Sequence, residues 1–280
     1  MWFGYTVLWI LAALPQGTPG EITILNPQLH QFEDGPPVYA DHTYIPGETV
    51  FFSCQVKGFR VARNGEQEKV LLSYRIEAKD STDVPVVEPH SGKVDESLSP
   101  QDKDWLPKIR YSFVLPPHAP AGVYRIALAV KDELGGQEKS TEIKLTVRGR
   151  QVAPSESLAI RNFRFLRSED ETAPLPRAVY RPGETMWAKF DITGYKIGEK
   201  NHVWVEYGLS ILNADGKVLY SQPEGAVEQD TPFYPKRFVP GVVSLNIQPG
   251  TTAAEYGLQL TVRDRVGQQT IESRHTFRVE

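Results

Sequence analysis

The sequence predicts an all-β protein built from two tandem antiparallel β-sandwiches. The chain carries one stretch twice, because residues 44–49 read Tyr-Ile-Pro-Gly-Glu-Thr and residues 180–185 read Tyr-Arg-Pro-Gly-Glu-Thr, at an offset of 136. Hydrophobic and polar residues alternate with a period of two between Gly- and Pro-containing turns, which is typical of short half-buried strands. No amphipathic helix of useful length is apparent. Two copies of one β-module therefore explain the 280 residues.

The repeats set the boundaries of the modules. Residues 56–61 match 192–197 at the same offset, and residues 121–132 match 253–264 at an offset of 132. The change in offset places small length differences in the middle, where loops tolerate them. We predict a first repeat at residues 21–148, a linker at 149–157 containing Pro154, and a second repeat at 158–280.

The first repeat begins with a strand over residues 22–32 that Pro27 interrupts. Pro46 and Gly47 form a tight turn, because Pro presets φ and Gly accepts positive φ. Two strands then alternate, with inward positions at Val50, Phe52, Cys54 and Val56, and at Val70, Leu72, Tyr74 and Ile76. Residues 80–108 are interpreted as a polar insertion, residues 109–115 as a short strand, and residues 134–137 as the turn of a final hairpin.

The second repeat follows the same plan. Pro182 and Gly183 form the opening turn. The inward strand positions after it are Met186, Ala188, Phe190 and Ile192, and then Val203, Val205, Tyr207 and Leu209. Residues 213–217 read Asn-Ala-Asp-Gly-Lys, a hairpin turn. A short strand at 242–247 and a closing hairpin complete a module of about seven strands, the pattern of a β-sandwich.

Charge and composition exclude one class of partner. The net charge is −4, with 15 basic and 19 acidic side chains in residues 21–148 and 16 of each in residues 149–280. Neither repeat has the basic excess that phosphate backbones require, so we expect no nucleic-acid partner.

Residues 1–20 carry no charge and hold an apolar run at 7–14, followed by Pro15, Gly17, Pro19 and Gly20. This pattern predicts a signal peptide, although no Lys or Arg precedes the run. The run is shorter than the roughly 20 apolar residues of a membrane span, so we expect no stable span after signal removal. Export with a single cysteine favours a secreted, periplasmic or cell-envelope protein of a bacterium. Alternatively, the segment is an anchor or a disordered tail.

The turn and strand motifs resemble a known class of module. The Tyr-Arg-Pro-Gly-Glu-Thr opening, a strand ending in Asp-Gly-Lys, an Ala-x-Tyr-x-Leu-like strand and a closing Phe-x-Val are similar to bacterial immunoglobulin-like domains. The opening especially resembles the macroglobulin-type domains of the alpha-2-macroglobulin family. The resemblance covers both repeats and implies two tandem immunoglobulin-like antiparallel β-sandwiches. It describes turns, and so it implies fold rather than activity. The family's Gly-Cys-Gly-Glu-Gln thioester motif is absent.

The resemblance also assigns structural roles. Tyr124 and Tyr256 resemble the tyrosine-corner residue, whose hydroxyl ties down a loop. Cys54 lies where an immunoglobulin strand could hold its first disulfide cysteine, but the chain has no second cysteine. We therefore interpret Cys54 as a buried small hydrophobe, with a reactive thiol as the alternative.

Catalytic and metal-binding motifs are not found in the sequence. The six histidines show no metal-ligand spacing, and neither a nucleophile elbow nor a phosphate loop occurs, so we predict no cofactor, no metal site and no enzyme. Acidic residues at 80–83 and 95–104 are interpreted as solvated loops, with calcium binding as the alternative.

Outward-facing apolar residues recur at matching strand positions. Phe51 corresponds to Trp187, and Leu71 corresponds to Trp204. Aromatic rings on an outer face form surface contacts with a protein or glycan partner in many modules. The alternative, which we favour, is that insertions or the neighbouring module cover them, because the two strands can lie on opposite sheets.

We therefore predict a non-catalytic exported interaction or structural protein of the cell envelope. The alternatives are a carbohydrate-binding accessory module and an accessory domain pair of a peptidase or secretion system. A further hypothesis is an enzyme whose catalytic carboxylates lie between the two repeats, but no sequence motif supports it.

Overall fold

The computed structural model describes residues 20–102 and 104–280. The predicted signal segment therefore lies outside the described residues, apart from Gly20. The described chain is all-β, and helical hydrogen bonding within it is confined to a 3-10 turn, Glu199–Asn201. In this part of the chain no helix is long and apolar enough to cross a membrane.

The described part of the first repeat, residues 21–102 and 104–148, contains nine strands rather than about seven. They are β1 (Thr23–His30), β2 (Thr43–Tyr44), β3 (Thr49–Lys57), β4 (Val61–Asn64), β5 (Gln67–Lys79), β6 (His90–Leu98), β7 (Lys108–Val114), β8 (Gly122–Asp132) and β9 (Glu138–Val147). One sheet has the order β1-β3-β7, and the other has the order β2-β9-β8-β5-β4, with β6 also paired to β5. The interpretation of residues 80–108 as an insertion is wrong in part, because β6 lies within it and pairs with β5 from Glu68 to Ile76.

The second repeat contains eight strands in the same arrangement. They are β10 (Ala159–Leu166), β11 (Val179–Tyr180), β12 (Thr185–Thr193), β13 (Val203–Leu212), β14 (Val218–Asp230), β15 (Val239–Asn246), β16 (Ala254–Asp264) and β17 (Gln269–Val279). A sheet of order β10-β12-β15 faces a five-stranded sheet of order β11-β17-β16-β13-β14. Strand β14 has the place in this repeat that β6 has in the first.

Strand pairing is antiparallel except at one point in each repeat. The two-residue strands β2 and β11, directly before the Pro-Gly turns, pair in parallel with the last strands β9 and β17. The prediction of antiparallel sandwiches is confirmed for the other strand pairs, and the opening segment of each repeat adds a two-residue parallel pair with its last strand.

The first strand of each repeat is broken by an asparagine in the left-handed region. Asn26 has φ 47° and Asn162 has φ 52°, and the register against the neighbouring strand shifts at both places. Asparagine tolerates this conformation better than other non-glycine residues. The break predicted at Pro27 is therefore present, but its repeated cause is the asparagine, which recurs at the offset of 136.

Inward-facing residues of the two sheets form one core in each repeat. The fully buried side chains include Phe52, Leu72 and Ile126 in the first and Phe190, Val205 and Leu260 in the second. Cys54 is 1% exposed and unpaired, and burial raises the pKa of its thiol to about 12. Tyr234 from the second repeat packs into the core of the first.

The duplicated Pro-Gly turns have the same geometry in both repeats. Gly47 has φ 85° and Gly183 has φ 91°, so glycine is required at both places. The Glu48 carboxylate accepts a hydrogen bond of 2.9 Å from the backbone N–H of Ile45, and Glu184 accepts the equivalent bond from Arg181. Each glutamate thus closes its own turn, which explains why Pro-Gly-Glu is repeated as a unit.

Candidate binding site at the junction of the two repeats

The predicted outward-facing residues lie on different sheets. Phe51 is on β3 and Trp187 on β12, whereas Leu71 is on β5 and Trp204 on β13. In each repeat the two residues therefore belong to opposite sheets of the sandwich and do not share a face. Their contact with a partner stays a prediction, but a platform that combines both tryptophans is not formed.

Trp204 belongs to a small polar cluster on the outer side of β13. Its indole N–H donates a hydrogen bond of 3.0 Å to the Glu206 carboxylate. Arg265 donates to the same carboxylate at 2.8 Å, and this bond holds the pKa of Glu206 below its ordinary value. The indole is therefore held by its neighbours on the strand, while its ring remains partly exposed.

The two predicted corner tyrosines bond to the backbone four residues upstream. Tyr124 Oη donates to the carbonyl of Pro120 at 2.9 Å, and Tyr256 Oη donates to the carbonyl of Thr252 at 2.8 Å. Tyr124 is buried, whereas Tyr256 is half-buried and stacks on Phe277. Each hydroxyl ties its preceding loop to the start of a long strand.

The candidate site lies where the loop between β14 and β15 meets the first repeat. This loop, residues 231–238, carries Phe233, Tyr234, Lys236 and Arg237. Tyr234 is only 5% exposed, although it lies in a loop, because the core of the first repeat surrounds its ring. A buried aromatic side chain contributes strongly to an interface. Tyr234 is therefore the principal apolar anchor between the repeats.

Asp80 directly follows β5, and its carboxylate accepts hydrogen bonds from its own turn and from the Tyr234 hydroxyl. One carboxylate oxygen accepts bonds from the Thr82 backbone N–H, the Thr82 hydroxyl and the Val84 N–H at 2.8, 2.8 and 3.0 Å. The other oxygen accepts from Tyr234 Oη at 2.8 Å and from Arg237 Nη2 at 2.7 Å. Asp80 therefore joins a turn of the first repeat to the loop of the second.

Burial and hydrogen bonding act in opposite directions on Asp80. Burial raises the pKa of the carboxyl, but the bonds from Tyr234, Val84 and Thr82 outweigh it and leave the pKa below its ordinary value. Burial together with the bond to Asp80 raises the pKa of Tyr234. The pair is therefore a carboxylate accepting from a neutral phenol.

The prediction that residues 80–83 form a solvated acidic loop is wrong for Asp80, which is 1% exposed. The sequence contains the signal for the local turn, since Asp-x-Thr is a common Asx-turn pattern. It contains no signal for the partner, because Tyr234 is 154 residues away. Only the packing of the repeats brings Asp80, Tyr234 and Arg237 together.

Additional contacts surround this junction. His118 packs edge-on against Phe238 at 5.6 Å between ring centroids, and burial lowers the pKa of His118. Arg150, in the segment between the repeats, lies 6.0 Å from the Phe238 ring and 3.0 Å from the buried Asp191 carboxylate. The predicted linker is thus packed against the second repeat at this residue.

A cleft of about 370 Å³ opens beside the junction. Its lining combines strand ends of the first repeat with the loop of the second, including Val114, Pro117, His118, Pro232 and Phe233. Val114 and Phe233 are each about half exposed. Lys236, in the lining, is paired with Glu228 and with Asp230 at 2.8 Å. The cleft is therefore mainly apolar and its lysine is already neutralised, which suits an apolar ligand segment.

The described residues 20–102 and 104–280 contain no cluster of three or more His, Cys, Asp or Glu side chains that could hold a metal ion. The calcium alternative for the acidic loops receives no support from these residues. Asp83 forms an ion pair with Arg125, and Asp102 accepts bonds from Ser99. These carboxylates stabilise their own loops.

Comparison with known proteins identifies no family. No family model and no curated protein matches the chain. One solved structure with a partial match is Pseudomonas fluorescens alkylpurine DNA glycosylase AlkC bound to DNA containing an abasic site analog. The match has 14% identity and a TM-score of 0.28, covering 46% of this chain and 31% of that one. The chain therefore spans about a third of the length of that protein.

This match requires one correction. The prediction that the chain is not an enzyme is contradicted, because the partly similar structure is that of an enzyme. We therefore withdraw that prediction. A TM-score of 0.28 is too low to carry an argument about a reaction or a substrate, so no activity is transferred to this chain.

Proposed function

We propose that the chain is an exported interaction protein of the bacterial cell envelope, secreted or periplasmic, that binds a protein partner at the junction cleft. In this proposal residues 21–148 and 158–280 are two immunoglobulin-like domains joined by residues 149–157. The observation that carries the proposal is the insertion of Tyr234 into the core of the first repeat beside an open apolar cleft. A docked pair with a preformed cleft loses little conformational entropy when a partner binds.

The partner class follows from the lining of the cleft. Exposed Val114 and Phe233 offer apolar surface, and the adjacent prolines Pro117 and Pro232 keep the walls rigid. Because Lys236 already pairs with two carboxylates, an acidic group would have to compete with them for the ammonium. An apolar segment of a protein is therefore the ligand that this lining fits best.

A site-specific photo-crosslinking experiment tests the proposal. A photoreactive phenylalanine analogue replaces Phe233 in the protein expressed in its own host, and a matched variant carries the analogue at Val123, which is equally exposed on β8. We expect a discrete protein adduct at position 233 and none at 123. The further change Val114→Glu should abolish the adduct without lowering the melting temperature, because that side chain is largely exposed.

Two results would contradict the proposal. Equal adducts at positions 233 and 123 would indicate unspecific capture. An adduct that survives Val114→Glu would show that the partner does not occupy the cleft. Fractionation of the same cells tests export separately, since the mature protein should be recovered outside the cytoplasm with a new N-terminus near residue 20.

A further inference from the structure

Strand β14 is the outer strand of the five-stranded sheet and pairs on one side with β13. A strand in this place presents a row of backbone N–H and C=O groups without strand partners on its other side. Its first segment, residues 218–222, ends at Pro223, and its register against β13 shifts once, between Val218 and Tyr220. This segment is therefore a template on which another strand can pair.

The side chains of this segment are unusually apolar for an exposed edge. Val218 and Leu219 are each 54% exposed and Tyr220 is 47% exposed, and the three residues are consecutive. The strand in the matching place of the first repeat, β6, carries the charged residues Lys93, Asp95 and Glu96 at its exposed positions. Charges of that kind protect an edge from pairing, and residues 218–222 have none.

The inner face of the segment is also uncovered. Tyr220 is opposite Ile211, which is 5% exposed and belongs to the core, so Tyr220 faces the inner side of the sheet. It remains exposed because the facing sheet has three strands against five. The first segment of β14 therefore extends beyond the edge of the facing three-stranded sheet. It leaves apolar surface exposed that a second sandwich would cover.

We propose that β14 is a self-association edge, on which a second copy of this chain pairs antiparallel through residues 218–222. A two-fold axis requires a residue to lie opposite itself, and Tyr220 is the centre of the segment. In this register the Lys217 end of one strand meets the end of the other strand that continues into Glu224. The charges at the ends are thus complementary, and none is repeated within the pair.

The remainder of β14 does not extend this pairing. The register against β13 shifts a second time, between Tyr207 and Leu209, and Pro223 has no N–H to donate. Glu228 and Asp230 follow, and their carboxylates already share Lys236 within the chain. The self-association edge is therefore limited to five residues on each copy, which predicts a dimer that dissociates on dilution.

Sedimentation velocity of the purified full chain over a range of concentrations tests the proposal. We expect a concentration-dependent monomer–dimer equilibrium. Tyr220→Lys places two ammonium groups opposite each other on the axis and should raise the dissociation constant about tenfold or more, and Tyr220→Glu should do the same. An equimolar mixture of the two variants should restore the dimer, because the opposed charges are then opposite in sign. Ser97→Lys, on the exposed edge strand β6, is the control and should leave the dimer unchanged.

Each alternative result overturns the proposal. A chain that remains monomeric at all concentrations excludes a second copy as the occupant of the edge. A dimer that Ser97→Lys disrupts, or that Tyr220→Lys leaves intact, uses another surface. Failure of the mixed variants to associate, with both monomers melting like the original chain, refutes the register centred on Tyr220. This surface is separate from the junction cleft, so the outcome is independent of the function proposed above.

Discussion

The Asp80–Tyr234 contact is predicted to couple the stabilities of the two repeats. Asp80→Asn keeps the size of the side chain and one carbonyl oxygen, but removes the charge and presents an amide to Tyr234 and Arg237. Breaking a buried charged pair costs about 3–5 kcal/mol of unfolding free energy. We expect the lower end, about 3 kcal/mol, because the Arg237 side chain is about a third exposed and partly screened by solvent.

Tyr234→Phe removes the phenol donor and leaves the ring in place. A hydrogen bond to a charged group contributes about 1.5–3 kcal/mol, so the loss should fall in that range. The double variant should lose less than the two single losses added together, because both remove the same bond. We expect a coupling free energy of about 1–2 kcal/mol.

Urea denaturation provides the measurement, with unfolding followed by circular dichroism and by tryptophan fluorescence. The matched control is Asp132→Asn, since Asp132 is equally buried but accepts bonds from Leu134, Gly135 and Arg60 within the first repeat. Asp132→Asn and Tyr234→Phe should be additive within about 0.5 kcal/mol. If Asp80 and Tyr234 are equally additive, the contact does not join the repeats and the reasoning fails.

Three further outcomes are expected. The loss of stability caused by Asp80→Asn should become smaller below about pH 4. The pKa of Asp80 is lower in the folded state than in the unfolded state, so the stability that its carboxylate contributes is complete above the unfolded-state pKa and is lost as the pH falls through the folded-state pKa. Thermal melting of both proteins at pH 7 and pH 3 measures this loss, and an equal loss at the two pH values would contradict the prediction. Cys54 should resist thiol reagents in the native protein and react fully in denaturant, because it is buried and its thiol pKa is raised; rapid native labelling, read by mass spectrometry, would refute burial. Tyr124→Phe removes one hydrogen bond and should lower the unfolding free energy by about 0.5–1.5 kcal/mol. Tyr124→Ala removes the buried ring and should lower it by about 3–5 kcal/mol. Tyr256→Ala should lower the unfolding free energy less than Tyr124→Ala does, since Tyr256 is only half-buried. Equal losses of unfolding free energy in urea denaturation would contradict this dependence on burial.

The repeat, the all-β class and the chemistry of the turns can all be predicted from local sequence patterns. These are local properties: a Pro-Gly-Glu turn is specified by the φ preferences of Pro and Gly and by a glutamate three residues from its backbone donor. The inward positions of β3 and β12 followed from alternation alone, because strand geometry sends successive side chains to opposite faces. Cys54 could be placed inside on the same ground.

Which surfaces contact each other could not be predicted from local patterns and is seen in the folded chain. The bond from Tyr234 to Asp80 spans 154 residues, and no local pattern encodes such a pairing. The sheet to which each strand belongs was equally undetermined, so Trp187 and Trp204 could not be assigned to opposite sheets from periodicity. The same holds for the exposed edge at β14, because its exposure depends on how far the facing sheet extends. Local sequence specifies the turns and the inward faces, whereas contacts between distant segments depend on how complete sheets pack.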